Sequence, residues 1–126
     1  MILLITGSDV PCNDGELRLV DGSSDYDGRL EVCYLGQWGT VCDDVFGDLD
    51  AQVACRQLGF NSSRAAAQQF AFGFGSGQIW LDNVQCRGVE NRLVDCVHNG
   101  FGEHNCFHFE DAGITCPPGK LSDLKI

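Results

Sequence analysis

The chain has 126 residues, enough for one domain with a core of its own but too few for two ordinary domains. Its formal net charge is -10, because 18 acidic side chains outnumber 8 basic ones. This excess of negative charge disfavours unaided binding to nucleic acid or to an anionic membrane, so a polyanionic ligand would need a bridging cation. No run of about 18 apolar residues occurs, so we expect no membrane-spanning helix and no direct membrane insertion.

Alternation of polar and apolar residues predicts three successive strands in the first third of the chain. They cover residues 16–20, 29–34 and 38–42, and turn residues separate them. The short connections predict an antiparallel meander that can bury one face. Further strands are predicted over residues 78–82 and 112–116.

Residues 48–59 carry the strongest helical pattern, with Asp48 as the predicted N-cap and Gly59 just past the end. The predicted inner face consists of Leu49, Val53, Ala54, Cys55 and Leu58. A short helical turn over residues 90–96 and a long loop over residues 98–109 follow, whereas residues 70–77 show no regular pattern. The sequence therefore predicts an α+β fold, a compact disulfide-rich domain with a short antiparallel sheet packed on one main helix and long loops.

The two ends of the chain differ in composition from the rest. We assign residues 1–15 to an N-terminal segment that leads into the domain, residues 16–116 to the domain, and residues 117–126 to a C-terminal linker or tail. Residues 1–5 are apolar but lack the basic start and the length of a signal-peptide core, so we interpret them as a boundary remnant or a short strand. Two prolines and a glycine give the tail its linker composition.

Eight cysteines are many for a chain of this length. They stand at positions 12, 33, 42, 55, 86, 96, 106 and 116. An even number permits complete pairing, which indicates an oxidising, extracellular setting. Zinc binding is the alternative, but zinc clusters usually contain cysteines only a few residues apart and no such pair occurs here, so disulfides are favoured. The sequence alone leaves the pairing open.

Three histidines, His98, His104 and His108, fall in one predicted loop. Such a group raises the possibility of zinc binding or acid–base catalysis. No Gly-x-Ser-x-Gly nucleophile motif and no Gly-x-x-x-x-Gly-Lys-Ser/Thr phosphate loop accompanies them. We therefore interpret the histidines as structural and expect no enzymatic activity.

A sequon at residues 61–63, Asn-Ser-Ser, predicts N-glycosylation of Asn61 in an exposed loop after the helix. The alternative is a chance match, since sequons are common.

Basic residues are few and scattered. They are Arg18, Arg29, Arg56, Arg64, Arg87 and Arg92, with Lys120 and Lys125 in the tail. A strong polyanion site built from arginine alone is therefore not expected, and Arg56 and Arg87 are equally suited to structural hydrogen bonds.

Five stretches of the chain carry a distinctive order of motifs. They read GRLEV (28–32), WGTVCDD (38–44), VACRQLG (53–59), GQIWLDNVQC (77–86) and EDAGITC (110–116). In this order they resemble the signature blocks of a scavenger receptor cysteine-rich domain. The resemblance covers about residues 16–116. Several long blocks in the right order are much more specific than any single motif.

The resemblance implies the disulfides of the six-cysteine, group A pattern. These are Cys42–Cys106, Cys55–Cys116 and Cys86–Cys96. Group B members have a further bridge between two places that here hold Tyr26 and Phe60. Cys12 and Cys33 are then left over, and we expect them to form a private bridge.

The resemblance also implies a cation site. In similar domains the residues corresponding to Asp43, Asp44 and Glu110 hold a divalent cation that engages ligands, so we carry these three over as the main site for calcium or magnesium. The implied disulfides would bring the two segments together. The alternative is that Asp43 and Asp44 cap a turn or helix and that Asp111 solvates a loop.

Some members of the family suggest a second, weaker site next to the first, here at Asp82, Asn83 and Asn105. Asn83 stands where others have an acid, which lowers the charge of the ligand set. The alternative is that Asn83 and Asn105 satisfy backbone groups in turns.

Together these features favour an extracellular ligand-binding module, secreted or in the ectodomain of a membrane protein. It would recognise an extracellular protein or a polyanionic surface in a cation-dependent way, and nucleic acid is not an expected partner. The alternative is a structural or accessory interaction domain of a mosaic protein. Tandem copies in the parent protein would raise avidity without changing any single site.

Overall fold

The computed structural model describes residues 11–69 and 71–123. The boundary remnant or short strand predicted at residues 1–5 lies outside the described residues. The elements of the described part are β1 (Leu17–Val20), β2 (Asp27–Tyr34), β3 (Gln37–Val41), α1 (Asp48–Gln57), β4 (Ala66–Gln69), β5 (Ile79–Leu81) and β6 (Ala112–Thr115). Short 3-10 turns occupy Leu93–Asp95, His108–Glu110 and Leu121–Asp123.

The predicted meander is present at the centre of the sheet. β1 pairs antiparallel with β2, and β2 pairs antiparallel with β3. Leu35 and Gly36 join β2 to β3 with φ angles of 53° and 75°, the left-handed geometry of a tight hairpin turn. β6 pairs antiparallel with the start of β2, and β4 adds antiparallel to β6.

Two features of the sheet differ from the prediction. β5 lies parallel to β3, so the sheet is mixed and not purely antiparallel. A parallel neighbour needs a long crossover, and the segment containing α1 and β4 provides it. β4 has no predicted counterpart, because its sequence AAQQ lacks β-branched residues and a clear alternation of polarity.

The N-cap of α1 is Gly47, and Asp48 is the first helical residue. The prediction of Asp48 as the N-cap is therefore wrong. Gly47 has no side chain to cap the helix, but the carboxylate of Asp50, the third helical residue, accepts a hydrogen bond from the backbone N–H of Gly47 at 2.8 Å. The carboxylate of Asp48 instead accepts from the backbone N–H of Ala67 at 3.0 Å and so fastens the helix to β4.

The buried face of α1 is partly as predicted. Val53, Ala54 and Cys55 are fully buried, and Leu58 packs at the margin of the core. Leu49 is exposed, contrary to prediction, because the first turn buries Asp50 and Ala51 instead. The side chain of Leu49 lies over Gly88 at the surface.

All four expected disulfides are present, Cys12–Cys33, Cys42–Cys106, Cys55–Cys116 and Cys86–Cys96. Cys55–Cys116 joins α1 to the end of β6 inside the core.

The start of the tail contacts the end of the helical segment through its backbone. Lys120 forms an isolated antiparallel β-bridge with Phe60, and the backbone N–H of Leu121 donates to the carbonyl of Gly59 at 2.7 Å. None of the helices within residues 11–69 and 71–123 is long and apolar enough to cross a membrane.

Candidate functional site

The carboxylates of Asp43, Asp44 and Glu110 converge where β3 ends and β6 begins, and oxygen atoms of all three lie within 4.8 Å of one another. Asp43 and Asp44 follow the end of β3, whereas Glu110 ends a 3-10 turn just before β6. The Cys42–Cys106 disulfide holds the two segments together, and the backbone N–H of Asp43 donates to the carbonyl of Glu110 at 2.7 Å. The structure thus brings together the three residues predicted for the main site.

A tight turn presents the two aspartates. The backbone N–H of Phe46 donates to the carbonyl of Asp43 at 3.0 Å, and the buried ring of Phe46 anchors the turn. Val45 adopts a φ of 53°, a left-handed conformation that is unfavourable for a β-branched residue. Because the buried Phe46 ring and its backbone hydrogen bond hold the turn in place, Asp43 and Asp44 lie beside each other and are half-buried.

The cluster is an uncompensated patch of negative charge. Burial raises the pKa of Asp43, and repulsion from Asp44 and Glu110 raises it further. The pKa of Asp44 is likewise raised, first by burial and then by Asp82 and Glu110. No lysine or arginine in the described part of the chain forms an ion pair with these four carboxylates.

The donor set suits a hard cation. Calcium and magnesium prefer oxygen ligands, and carboxylates this close together stay ionised at low energetic cost only when a cation lies between them. A carboxylate oxygen of Asp44 lies 3.5 Å from the sulfur of Cys106. That sulfur is bonded to Cys42 and has no thiolate to offer, so the site lacks the soft ligands that zinc prefers.

The residues predicted for the second site line an open depression of about 590 Å³. Its lining consists of Asp82, Asn83, Asn99, Glu103, His104 and Asn105. Asp82 is almost fully buried, and a carboxylate oxygen of Asp82 lies within 4.8 Å of one of Asp44. The two predicted sites therefore adjoin each other. Asn83 has a φ of 56°, and its backbone N–H donates to Asp82 at 2.8 Å, in keeping with a turn role for this residue.

The sequence prediction omits two oxygen donors of this depression, Asn99 and Glu103. The amide of Asn99 donates to the carboxylate of Asp82 at 3.4 Å and to the carbonyl of Glu103 at 3.3 Å. Gly100 and Gly102, both with positive φ, fold the intervening loop back on itself. The Asn-Gly-Phe-Gly sequence at residues 99–102 is a turn signal, but a turn signal does not identify Asp82 as the neighbour of Glu103.

Asp111 does not solvate a loop but is buried beneath the site. Its carboxylate accepts a hydrogen bond from the backbone N–H of Gly75 at 2.7 Å and lies 3.0 Å from Nδ1 of His108. The Nε2–H of His108 donates to the carbonyl of Gly77 at 3.0 Å. Asp111 and His108 therefore fasten the glycine-rich loop over residues 72–77 to the segment that carries Glu110.

The other two histidines also bind the backbone. Nδ1 of His98 accepts from the N–H of Gly100 at 2.9 Å, and Nδ1 of His104 accepts from the N–H of Cys106 at 3.0 Å. Among the residues that the structure describes, no histidine belongs to a group of converging metal ligands. This geometry supports the structural interpretation of the three histidines.

The remaining predicted surface features are separate from the site. Asn61 is exposed after α1 and accepts from the backbone N–H of Ser63 at 2.8 Å, so its glycosylation stays a prediction. Arg56 donates to the carbonyl of Glu90, which is the structural one of the two roles open to it from the sequence. Arg29 is buried and pairs with Glu31 at 3.1 Å. The arginines form no patch at the carboxylate cluster.

Comparison with known proteins identifies relatives of the chain. The sequence profile of the scavenger receptor cysteine-rich domain matches residues 20–117. Galectin-3-binding protein of Pongo abelii is 49% identical over 114 residues, and a scavenger receptor cysteine-rich domain superfamily protein of Patiria pectinifera is 50% identical over 104 residues. These alignments cover 90% and 82% of this chain. The chain spans only 19% and 9% of the length of these relatives.

Solved structures of similar sequence share the architecture. The third SRCR domain of murine neurotrypsin is 51% identical with a TM-score of 0.74, and the match covers 80% of this chain and 94% of that domain. The dimeric form of the SRCR domain of mouse MARCO is 52% identical with a TM-score of 0.68, covering 79% of this chain and 93% of that one. The predicted compact, disulfide-rich fold with one helix is thus confirmed. This chain belongs to the scavenger receptor cysteine-rich domain family.

Proposed function

We propose that this chain is an extracellular ligand-binding module that engages a protein or a polyanionic surface through a divalent cation, calcium or magnesium, held by Asp43, Asp44 and Glu110. Family membership supports the general part, because domains of this family are disulfide-bonded, receptor-type modules that are typically extracellular and bind ligands. It also supports the expectation that the chain has no enzymatic activity.

One observation carries the cation-dependent part of the proposal. Three carboxylates from two distant segments converge within 4.8 Å, and burial and mutual repulsion raise the pKa of both aspartates. A divalent cation relieves this repulsion. Its remaining coordination positions can accept a carboxylate, sulfate or phosphate oxygen of a ligand. Cation bridging therefore reconciles a chain of net charge -10 with an anionic ligand.

The depression beside the main site is the place for a second, weaker cation. Asp82, Asn83 and Asn105 are the predicted ligands there, and Glu103 adds a second carboxylate to its wall. Two of the three predicted ligands are neutral amides, so this site attracts a cation less strongly than the main site.

Calorimetric titration of calcium into the oxidised chain tests the proposal. Wild type is compared with Asp43→Asn/Asp44→Asn and with Asp25→Asn/Asp95→Asn, a control that removes the same charge from exposed positions. Saturable binding is expected in wild type and in the control, and its loss is expected in the site variant. Absence of binding in wild type, or equal binding by all three chains, would contradict the cation site.

A structural or accessory role in a mosaic protein is the second candidate function. It is favoured by the small share that the chain occupies of its relatives, 19% and 9% of their lengths. This role predicts no calcium-dependent ligand binding by the isolated domain. It also predicts that the parent protein covers exposed apolar residues, which hydrogen exchange of parent and isolated domain would reveal.

A further inference from the structure

Four apolar side chains are strongly exposed on the loops around the carboxylate cluster. Phe74, Phe107 and Phe109 expose 66%, 67% and 51% of their surface, and Val45, directly after Asp44, exposes 63%. These four residues are called the apolar rim below. Within the described residues, the three phenylalanines are the only aromatic side chains among the exposed large apolar ones. In the part of the chain that the structure describes, the strongly exposed phenylalanines are thus confined to the loops of the candidate site.

The three loops of the rim are tied to one another. The disulfide and the backbone hydrogen bond described above join the turn of Val45 to the segment of Phe107 and Phe109. The hydrogen bonds made by His108 and Asp111 join the loop of Phe74 to the same segment. The rings of Phe107 and Phe109 stack with their centroids 5.6 Å apart and 10° between their planes. The three loops are therefore fixed relative to one another, and two of the rings form one stacked pair.

The shape of the rim limits what can cover it. Its four residues line neither the 590 Å³ depression nor the 250 Å³ depression formed by Asp14, Gly15, Tyr34, Arg92, Val94, Asp95 and Phe101. The rings thus project from loops and do not wall either cavity. A rigid protein partner would need complementary pockets for them, whereas a fluid apolar layer accepts protruding rings without such pockets.

The charge of the carboxylate cluster limits which apolar surfaces the site can approach. No lysine or arginine forms an ion pair with Asp43, Asp44 or Glu110 within the described residues, so a cation held by these carboxylates would supply the positive charge that an anionic surface needs. A cation with open coordination positions binds phosphate and carboxylate oxygens. Anionic phospholipid presents such oxygens directly above an apolar layer. A sulfated polysaccharide offers the anion but no layer for the rings, which would remain in water.

We infer that the apolar rim docks onto an anionic phospholipid surface, with the cation bridging the carboxylate cluster to lipid headgroups and the phenylalanine rings entering the layer below them. This inference rests on the proposed function, because it needs the cation. The contact is peripheral and shallow and involves no spanning segment. It also makes binding depend on two signals at once, an anionic headgroup and an apolar layer.

Vesicle binding tests the inference with a matched pair of variants. Phe107→Ala/Phe109→Ala removes two rings of the rim. Leu35→Ala removes an equally exposed side chain from the β2–β3 turn, at the opposite end of β3 from Asp43. The probes are vesicles of phosphatidylcholine with phosphatidylserine and vesicles of phosphatidylcholine alone, each in calcium and in chelator.

Wild type and Leu35→Ala are expected to bind only the phosphatidylserine vesicles, and only in calcium. The rim variant is expected to bind them roughly tenfold or more weakly, because it loses the burial of two rings. Its calcium titration should match that of wild type. A Phe107→Trp variant should retain vesicle binding, and brominated lipid should quench the new tryptophan.

The outcomes separate this inference from the proposed function. Absence of calcium binding in wild type defeats the proposed function itself. Normal calcium binding without vesicle binding, or equal vesicle binding by wild type and the rim variant, overturns the inference alone. Vesicle binding that soluble phosphoserine abolishes equally in wild type and the rim variant also overturns it, since only the headgroup is then recognised. Calcium-dependent binding of polyglutamate but not of vesicles also overturns the inference, since the cation then bridges to carboxylates and not to lipid headgroups.

Discussion

The backbone N–H of Asp43 donates to the carbonyl of Glu110 at 2.7 Å, while the carboxylates of the same two residues repel each other. The neighbouring Cys42–Cys106 disulfide covalently joins the two segments beside this bond. Backbone pairing and the disulfide therefore hold together side chains that would otherwise move apart. The stability of the domain should therefore change when the repulsion is removed, either by substitution of the carboxylates or by bound calcium.

Replacing Asp43 and Asp44 with asparagine should stabilise the calcium-free domain at pH 7. Both pKa values are raised in the folded state, so the folded chain binds protons more tightly than the unfolded chain. The free energy of unfolding therefore falls as pH rises above the ordinary carboxyl value of about 4 and stays lowered at neutral pH. Urea unfolding in chelator should show a gain of up to about 1 kcal/mol, with electrostatic screening limiting its size. A loss of stability would contradict this, and Asp25→Asn/Asp95→Asn controls for net charge.

Calcium should raise the unfolding temperature of wild type more at pH 7 than at pH values near 4. A ligand that binds only the folded state stabilises it in proportion to the logarithm of its concentration over its dissociation constant. Protons compete with calcium for the raised-pKa carboxylates of Asp43 and Asp44, so acid weakens the binding. Calorimetric scans in calcium and in chelator at the two pH values measure the difference. Equal shifts at both pH values, or an undiminished shift in Asp43→Asn/Asp44→Asn, would refute the expectation.

Gly39→Ala should destabilise the domain by disturbing the pairing of β3 with β5. A Cβ atom at this position would lie 2.5 Å from Cδ1 of Trp80 and 2.9 Å from the carbonyl oxygen of Gln78. The indole cannot move away freely, because its N–H donates to the carbonyl of Gln37 at 3.0 Å. Overpacking of this kind costs about 1–3 kcal/mol. Urea unfolding followed by tryptophan fluorescence measures the loss.

Gly47→Ala is the matched control for that substitution. Apart from Gly47 and its two chain neighbours, no residue has an atom within 4 Å of an added Cβ at Gly47, and its φ of -127° is open to any residue. Its free energy of unfolding should stay within about 1 kcal/mol of wild type, since alanine is a poorer N-cap residue than glycine. A larger loss at Gly47 than at Gly39 would show that steric contact with Trp80 is not the cause.

The parts of the fold that the sequence predicts depend on local patterns. Alternation of polarity identifies β1, β2 and β3, and the helical period identifies α1. β4 escapes prediction because its pairing with β6 is a tertiary contact that its own residues do not encode. The predicted burial of Leu49 is wrong for a similar reason. Only the packed structure shows that the first turn of α1 buries Asp50 and leaves Leu49 exposed.

The residues of the candidate site likewise fall into those that the sequence predicts and those that only the fold reveals. Asp43, Asp44 and Glu110 are predictable from the resemblance to a family, because each lies in a signature block. Glu103 lies in no such block, and only the folding of its loop around two glycines brings it beside Asp82. Hydrophobicity alone would place Phe107 and Phe109 in the core, and their exposure becomes evident only from the path of the chain.

Asp50→Asn should destabilise the domain, and the loss should shrink as pH rises from about 4 to 7. The carboxylate of Asp50 is buried and accepts backbone hydrogen bonds from Gly47 at 2.8 Å and from Cys86 at 2.6 Å. Asparagine has one acceptor oxygen, so one N–H loses its partner at a cost of about 1–3 kcal/mol.

The pH dependence of this loss follows from the ionisation of Asp50. Burial raises its pKa despite the two hydrogen bonds, so the wild-type residue stabilises the fold most when it is protonated and less as it ionises above pH 4. Asparagine does not titrate, and the difference between the two chains therefore narrows with rising pH. Urea unfolding at both pH values measures the loss, and exposed Asp95→Asn should change stability by no more than about 0.5 kcal/mol. A loss that grows toward neutral pH would show that ionised Asp50 is the more stabilising form and that its hydrogen bonds outweigh its burial.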